Sequence, residues 1–413
     1  MKVAVVGAGV SGLVSAYLLS RTHEVELFER NDYFGGHSHT VEVGGVPVDT
    51  GFIVYNEPAY PRFSRLLAEL GVATQPSDMS FSVTCHACDL AYSSRGLRGM
   101  LARPRGMLRP RGVRLAADIA RFYRDAPKSM DDASLALATV DEYLSRRHFS
   151  DEFRRHFLVP LAAAVWSMSP GEVGAFPAKY MVRFLYNHGL VGGGEGRWRW
   201  RTVMGGSRSY VEAIALRLRE AAHVSTGVRG IERDEHGVTV CLPEGAKRFD
   251  SVVLACHADE ALALLSDASK LETEALGRFL YSKNRVVVHT DASFLPRERA
   301  ARASWNYVTS DCRRADGPLA LTYHMNRLQS LKTEQEVCVS VNPEASFGEH
   351  TVVQEMTYTH PRYTFDTLEG QRRIAEINAR NRTYFAGAHL GYGFHEDGVE
   401  SAYWVATLLG TEA

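Results

Sequence analysis

Lys2-Val3-Ala4-Val5-Val6-Gly7-Ala8-Gly9-Val10-Ser11-Gly12 opens the chain and decides its fold class. Residues 3 to 6 are all Val or Ala, the composition of a short strand buried on both faces. A glycine-punctuated turn follows, then a helix-compatible run from Leu13 to Ser20, then a second apolar run from His23 to Phe28 that ends at Glu29. This is a β-α-β unit with G-x-G-x-x-G at its first turn and an acid about 20 residues further on. Each glycine has its own physical task. Gly7 permits the tight turn, Gly9 lets backbone approach a pyrophosphate, and Gly12 lets the helix pack against the strand. The helix N-terminus offers unpaired N–H groups and a positive dipole end to phosphates. Glu29 is placed to accept hydrogen bonds from a ribose diol, with Arg30 beside it. A glycine-rich turn without a ligand is the competing reading, and it leaves the acid unexplained.

The next segment bears on which dinucleotide. Gly35-Gly36-His37-Ser38-His39-Thr40 follows Glu29-Arg30, and Asp49-Thr50-Gly51-Phe52-Ile53 lies a little further on. A nicotinamide-binding domain has no need of a second glycine pair at this point. An extended FAD does, because small residues let backbone come close to its phosphates and ring. At the other end of the chain, Arg382 to Gly387 reads as a strand ending in glycine. Gly391, Gly393 and His395-Glu396-Asp397-Gly398-Val399-Glu400-Ser401-Ala402 read as a loop entering a last helix. Such a helix N-terminus would stabilise negative charge on a reduced flavin, and Gly398 and Val399 are candidates for contact with the cofactor.

These segments resemble the flavin-containing amine oxidase superfamily, the fold shared by monoamine oxidase, phytoene desaturase and protoporphyrinogen oxidase. More narrowly, the chain is similar to bacterial amine-oxidase-like flavoproteins described only as NAD/FAD-binding. That likeness includes Gly51 to Asn56, Ser304 to Tyr307, Met325 to Gln329 and the C-terminal segment. The resemblance implies an α/β fold: a Rossmann-like FAD-binding domain with an inserted mixed α+β substrate domain. The FAD domain would be discontinuous, built from 1–75, 201–268 and 352–413, with 76–200 and 269–351 forming the substrate domain. Val228 would lie against adenine, Gly205-Gly206-Ser207 would precede a helix from Tyr210 to Ala221, and Gly387 would approach the cofactor.

Independent patterning agrees. Val113, Ala116, Ala117, Ala120 and Tyr123 have helical spacing, whereas Val238, Val240 and Leu242 alternate as a strand does. Residues 252–255, 284–290 and 335–341 read as further strands. Gly189 to Gly196 holds five glycines, but no strand precedes it and Arg197-Trp198-Arg199-Trp200 follows, so it reads as a loop. No second nucleotide fingerprint is visible, which favours substrate oxidation over reduction by a nicotinamide.

Composition narrows the function classes. The 413 residues are 45% hydrophobic and 23% charged, values of a globular chain long enough for two cores. A net charge of −1 gives no reason to expect nucleic-acid binding. No apolar run reaches the roughly 18 residues of a membrane span, and the first residues enter the nucleotide motif directly, so the expected location is the cytoplasm. One segment qualifies this: residues 95–124 carry nine arginines against a single acid, Asp118, with Leu97, Met100, Leu101, Met107 and Leu108 interleaved. Such a segment is either a solvated basic face or a peripheral contact with the inner, anionic membrane surface.

Six cysteines are too few for a disulfide scaffold. Cys85-His86-Ala87-Cys88 is the one close pair. Without a second pair it reads as reduced cysteines near a hairpin, a metal or redox site being the alternative, and no metal is assigned.

For the chemistry, His395 is the candidate proton-transfer residue because its ordinary pKa lies near neutrality. Trp305, Asn306 and Tyr55 are candidates for the substrate side of the flavin. In monoamine and polyamine oxidases a lysine stands near the flavin; counting back from Phe294, the resemblance implies Arg285 there. This departure weakens an amine substrate. The family's covalent-attachment cysteine has no counterpart near the C-terminal loop, which implies noncovalent FAD, His37 or His39 being the alternative attachment points. The narrower resemblance implies hydride transfer from an apolar, fatty-acyl-type or lipid substrate, as desaturation or double-bond isomerisation. Amine C–N oxidation and a redox-neutral or partner-binding flavoprotein stand as alternatives, with oxygen as one candidate electron acceptor.

Overall fold

The central strand Lys2–Val6 has Val3, Ala4 and Val5 fully buried, as its composition requires. It sits inside a five-stranded parallel sheet in the order Ala222–His223, Glu24–Phe28, Lys2–Val6, Ser251–Leu254, Thr383–Phe385. All four pairings are parallel. The protein is described from a computed structural model covering residues 1–191, 198–313 and 320–412. Part of the glycine loop 189–196 therefore lies outside the described residues.

Parallel sheets need cover on both faces. Helices Val10–Leu19, Arg208–Leu218 and His395–Leu408 pack on one side around Leu13, Ile214 and Val399. The other face carries an antiparallel three-stranded sheet, Gly230–Asp234, Gly237–Leu242 and Gly245–Phe249. Helices Ala258–Leu264, Lys270–Leu276 and Phe365–Ile377 pack there as well. N-terminal, middle and C-terminal pieces thus build one domain, whose sheet brings the Gly7 turn and the end of Ser251–Leu254 to the same edge.

The second domain is a seven-stranded mixed sheet in the order Val352–Arg362, Leu280–His289, Cys338–Val341, Leu321–His324, Trp305–Thr309, Phe81–Cys85, Leu90–Ser93. Only the pairing of Trp305–Thr309 with Phe81–Cys85 is parallel. The expected return to the FAD domain at 352 is corrected here. Val352–Arg362 pairs along its length with Leu280–His289, and the chain rejoins the parallel sheet only at Thr383–Phe385. A long antiparallel partner outweighs the proximity in sequence.

A helical layer covers this sheet, with Pro110–Ser129, Val140–Arg146, Val159–Trp166 and Ala178–Asn187 as its main elements. The first helix buries a different face from the one the spacing suggested. Leu115, Asp118, Phe122, Ala126 and Ser129 point inward, while Val113 is 56% and Tyr123 37% exposed. Asp118 is affordable inside because Arg121, the Ser150 hydroxyl and the Ser150 N–H all bond its carboxylate. Among the described residues no helix is long and apolar enough to cross a membrane.

Candidate active site

A cavity of about 700 Å³ runs between the two domains. At one end its walls are Glu29, Arg30 and Val228; in the middle Gly7, Gly9, Val10, Ser11, Gly35, Gly36 and His37; further along Thr50, Gly51, Phe52 and Ile53. The far end is formed by Trp166, Phe184, Trp305, Tyr323 and Phe394, with Gly387 and His395 also on the wall. The glycine segments, the acid and the C-terminal loop singled out in the sequence thus line one cavity.

The glycine turn behaves as its chemistry requires. Gly7 has φ +94°, open to glycine and costly for other residues. A Cβ on Gly12 would stand 1.8 Å from the Gly7 carbonyl oxygen, so only glycine admits the helix this close. A Cβ on Gly9 would meet nothing within 4 Å, because the space beside it is the cavity itself. Helix Val10–Leu19 starts at Gly9 with no side-chain cap, leaving its first N–H groups free for an anion. Gly35 donates its N–H to the Ala8 carbonyl at 2.8 Å, which brings the second glycine pair over the first. The Glu29 carboxylate is fixed by the N–H groups of Ala8 (2.8 Å) and Asn31 (2.9 Å). Buried Asp49 holds the Thr50 loop: one oxygen accepts from Thr40, the Ser207 N–H and the Ser207 hydroxyl, the other from Gln329. Burial pushes this carboxyl up to about 6.

Three buried polar atoms on the cavity wall, His37 Nε2, Trp305 Nε1 and Tyr363 Oη, have no protein partner. Orphaned buried donors carry a cost, and together with the uncapped helix and the open glycine cradle they fit a large polar anionic ligand of FAD's kind. Glu29, the Gly9 and Gly36 backbone and the Thr50–Phe52 loop would hold it; when bound, FAD supplies the hydride acceptor.

Several sequence candidates lie elsewhere. Arg285 is corrected: it points to solvent and forms a bidentate pair with Glu355 at 2.6 and 2.7 Å, while its neighbour Val286 faces the cavity. Strand alternation puts adjacent residues on opposite faces, and this one turns Arg285 outward. Arg285→Ala should therefore leave turnover unchanged and cost at most about 1 kcal/mol, as exposed ion pairs do. A large loss of activity in a steady-state assay would return it to the site.

Asn306 is likewise corrected to a structural position. Its amide accepts from the Ser82 hydroxyl and the Ala303 N–H and donates to the Ala303 and Thr322 carbonyls, clamping three segments. Tyr55 is buried against Tyr60 and Phe63, and Tyr60 lines the cavity in its place. Ala8 and Gly12 act from behind the wall. Gly398 lies against Val10 and Ser11 and Val399 in the core, so the close approach at Gly398 is helix to helix, not helix to flavin. His395 is on the wall but held: Nε2 is 2.7 Å from the Tyr210 hydroxyl, and the ring stacks on Phe52 at 3.7 Å. Burial lowers it to about 3, which makes it a neutral positioning group and a weak base.

Sequence reasoning missed His257, His360 and His389, which line the cavity. His37 and His360 have ring centres 5.3 Å apart, and His37 and His257 6.2 Å. Burial, then the neighbouring rings, keeps His37 and His360 neutral, the latter at about 4. His257 follows the parallel strand Ser251–Leu254, and the carboxyl ends of such strands are where ligands bind, a signal available in the sequence. Nothing local marked His360.

The comparisons agree with this geometry. The family model of flavin containing amine oxidoreductases matches residues 10–409. A Mycobacterium tuberculosis protein described as "Putative flavin-containing monoamine oxidase AofH" is 29% identical over 275 residues, 64% of this chain and 59% of that protein. A coproporphyrinogen III oxidase of Mycobacterium bovis is 28% identical over 309 residues, 69% and 65% of the two chains. The matched stretch thus spans about three fifths of the first relative's length. Among solved structures, a CLA-producing fatty acid isomerase from P. acnes superposes with a TM-score of 0.71 at 15% identity, covering 98% of both chains, which shows a common fold. With its Gly7–Gly12 cradle, its Glu29 carboxylate and a family match over nearly its whole length, the chain belongs to the flavin-containing amine oxidoreductase family.

Proposed function

We propose that this enzyme acts on an apolar chain of the fatty-acyl type, by desaturation or double-bond isomerisation. The observation that carries the reading is the far end of the cavity. Its walls there are Ala164, Val165, Trp166, Phe184, Trp305, Tyr323 and Phe394, and the carboxylates among the described lining residues, Glu29 and Glu260, stand together beside Arg30. A protonated amine entering this end would lose its hydration without a counter-charge, whereas each methylene buried there contributes about 0.8 kcal/mol. Trp305 and Tyr323, edge to face at 5.6 Å, form a rigid side of the slot. The glycines and histidines on the wall would orient the cofactor, and the aromatic walls would exclude water.

Noncovalent attachment of FAD fits the same walls. Cys256 is the cysteine among the described lining residues, and it stands with Glu260 at the end away from Trp305.

A lipid substrate also gives the basic segment a use. Leu97, Leu108 and Val113 are 76%, 68% and 56% exposed. Arg105, Arg109 and Arg114 beside them belong to no ion pair among the described residues, although Arg103, Arg121 and Arg124 do. This face supports docking on an anionic bilayer. No residue of 95–124 lines the cavity, so on this reading the patch would serve docking apart from the cavity wall.

The competing reading, C–N oxidation, draws on the monoamine oxidase relative. Anaerobic mixing separates the two. Unsaturated long-chain acyl lipids in anionic vesicles should bleach the flavin or yield a double-bond isomer, and a panel of amines should do neither. Charge reversal of Arg105, Arg109 and Arg114 together should weaken turnover of vesicle-borne lipid at least about tenfold more than that of a short soluble analogue, given roughly 1 kcal/mol per basic residue at such a surface. Bleaching by amines alone would overturn the acyl reading.

A further inference from the structure

We propose that Cys85, Cys88 and Cys312 form a zinc site at the outer end of the seven-stranded sheet, remote in sequence from the cavity loops. The C-x-x-C pair lacked a partner pair in the sequence, but the fold supplies one further thiol. Trp305–Thr309 runs parallel to Phe81–Cys85 with Thr309 opposite Cys85, so the residues that follow each strand emerge side by side. His86 and Ala87 donate their N–H groups to the Thr309 and Ser310 carbonyls, both at 3.0 Å, which locks the 85–88 turn against the segment carrying Cys312.

The three sulfurs lie within 4.8 Å of one another, with Cys88 and Cys312 at 3.5 Å. Thiolates around a tetrahedral zinc with Zn–S bonds of about 2.3 Å stand roughly 3.8 Å apart, so small rotations bring all three into place. The Cys85 sulfur also accepts the backbone N–H groups of Cys88 and Cys312. Bonds of this kind orient ligands and stabilise thiolate charge around a metal. Soft thiolates select zinc among the common divalent ions. Cys88 and Cys312 are partly exposed, so water can take the fourth position and the metal has a path in. Binding releases the thiol protons. Because Cys88 and Cys312 are 224 positions apart, the metal would tie together distant parts of the chain at the end of the strand that carries Trp305.

The test is metal analysis of the full-length flavoprotein purified under a thiol reductant. One zinc per chain is expected in the wild type and in Cys241→Ser, whose cysteine lies elsewhere, and a near-complete loss in Cys88→Ser and Cys312→Ser with the flavin spectrum retained. Should those variants fail to fold, the wild type answers. Chelation should expose three additional thiols to a thiol reagent and lower the melting temperature, with zinc restoring both, and cobalt added in its place should produce sulfur-to-metal charge-transfer absorption. Equal zinc in wild type and Cys88→Ser, a native disulfide linking two of the three cysteines, or no charge-transfer band with cobalt would each overturn the site.

Discussion

Gly9→Ala should give a folded protein that no longer retains FAD, and Gly12→Ala a protein that barely folds. The two glycines are three residues apart in one turn, and their surroundings explain the contrast. The Gly9 backbone, at φ −66° and ψ −179°, suits any residue, and its new methyl would meet no protein atom within 4 Å. It would instead occupy the cavity beside the uncapped start of helix Val10–Leu19, where a pyrophosphate must approach the N–H groups. A stability change within about 0.5 kcal/mol is expected, with FAD affinity down by at least about two decades, or roughly 2.8 kcal/mol. The Gly12 methyl would lie 1.8 Å from the Gly7 carbonyl oxygen and 3.2 Å from the Ala255 side chain. Backbone on one side and the sheet on the other cannot yield, so the cost should exceed the usual 1–3 kcal/mol of overpacking. Denaturant unfolding monitored by circular dichroism, with flavin absorbance after reconstitution, checks both. A yellow Gly9→Ala protein with unchanged affinity would show that the phosphates do not pass this turn.

The contrast also shows where the sequence was informative. Gly12 meets the Gly7 carbonyl and Glu29 the Ala8 N–H within one β-α-β unit, so spacing carried that part of the argument, although Gly7 and Gly12 also pack on Ala255 of a distant strand end. Arg285, Asn306 and Tyr55 failed as site residues because a strand residue's direction depends on register with partners far along the chain. Arg285 and Val286 are adjacent, yet one meets Glu355 and the other the cavity. The helix Pro110–Ser129 presented two helical stripes, and the inward one contains Asp118, which no apolar pattern would include. His360 and Cys312 gained their neighbours only through pairings across tens to hundreds of residues.

Acid should destabilise the protein steeply below about pH 6.5. Burial holds His188, His289 and His360 at about 4, and His389 and His395 at about 3, against an ordinary value of 6.5. Each ring stays neutral in the fold while the unfolded chain takes up a proton, so stability present above 6.5 is lost as pH falls towards those values. Three carboxyls work the other way. Burial raises Asp49 and Glu396 to about 6 and Asp397 to about 7, so the fold holds protons that the unfolded chain has released, and stability is gained as pH falls through 7 to 4. Five rings against three carboxyls leave the unfolded state with a net excess of about two protons across the shared window, worth on the order of 2–3 kcal/mol per pH unit. Over two units that is on the order of 5 kcal/mol, comparable with the whole stability of an ordinary domain. His37, His39, His156, His257 and His324 are lowered as well and add in the same direction. Urea unfolding at about pH 7, 6 and 5 should show the midpoint collapsing across the series. Removing one ring, as in His188→Phe beside Phe184, should flatten the slope by about one proton's worth. A midpoint that stays level or rises on acidification would mean that the buried carboxyls, and not the histidines, dominate the proton balance of this fold.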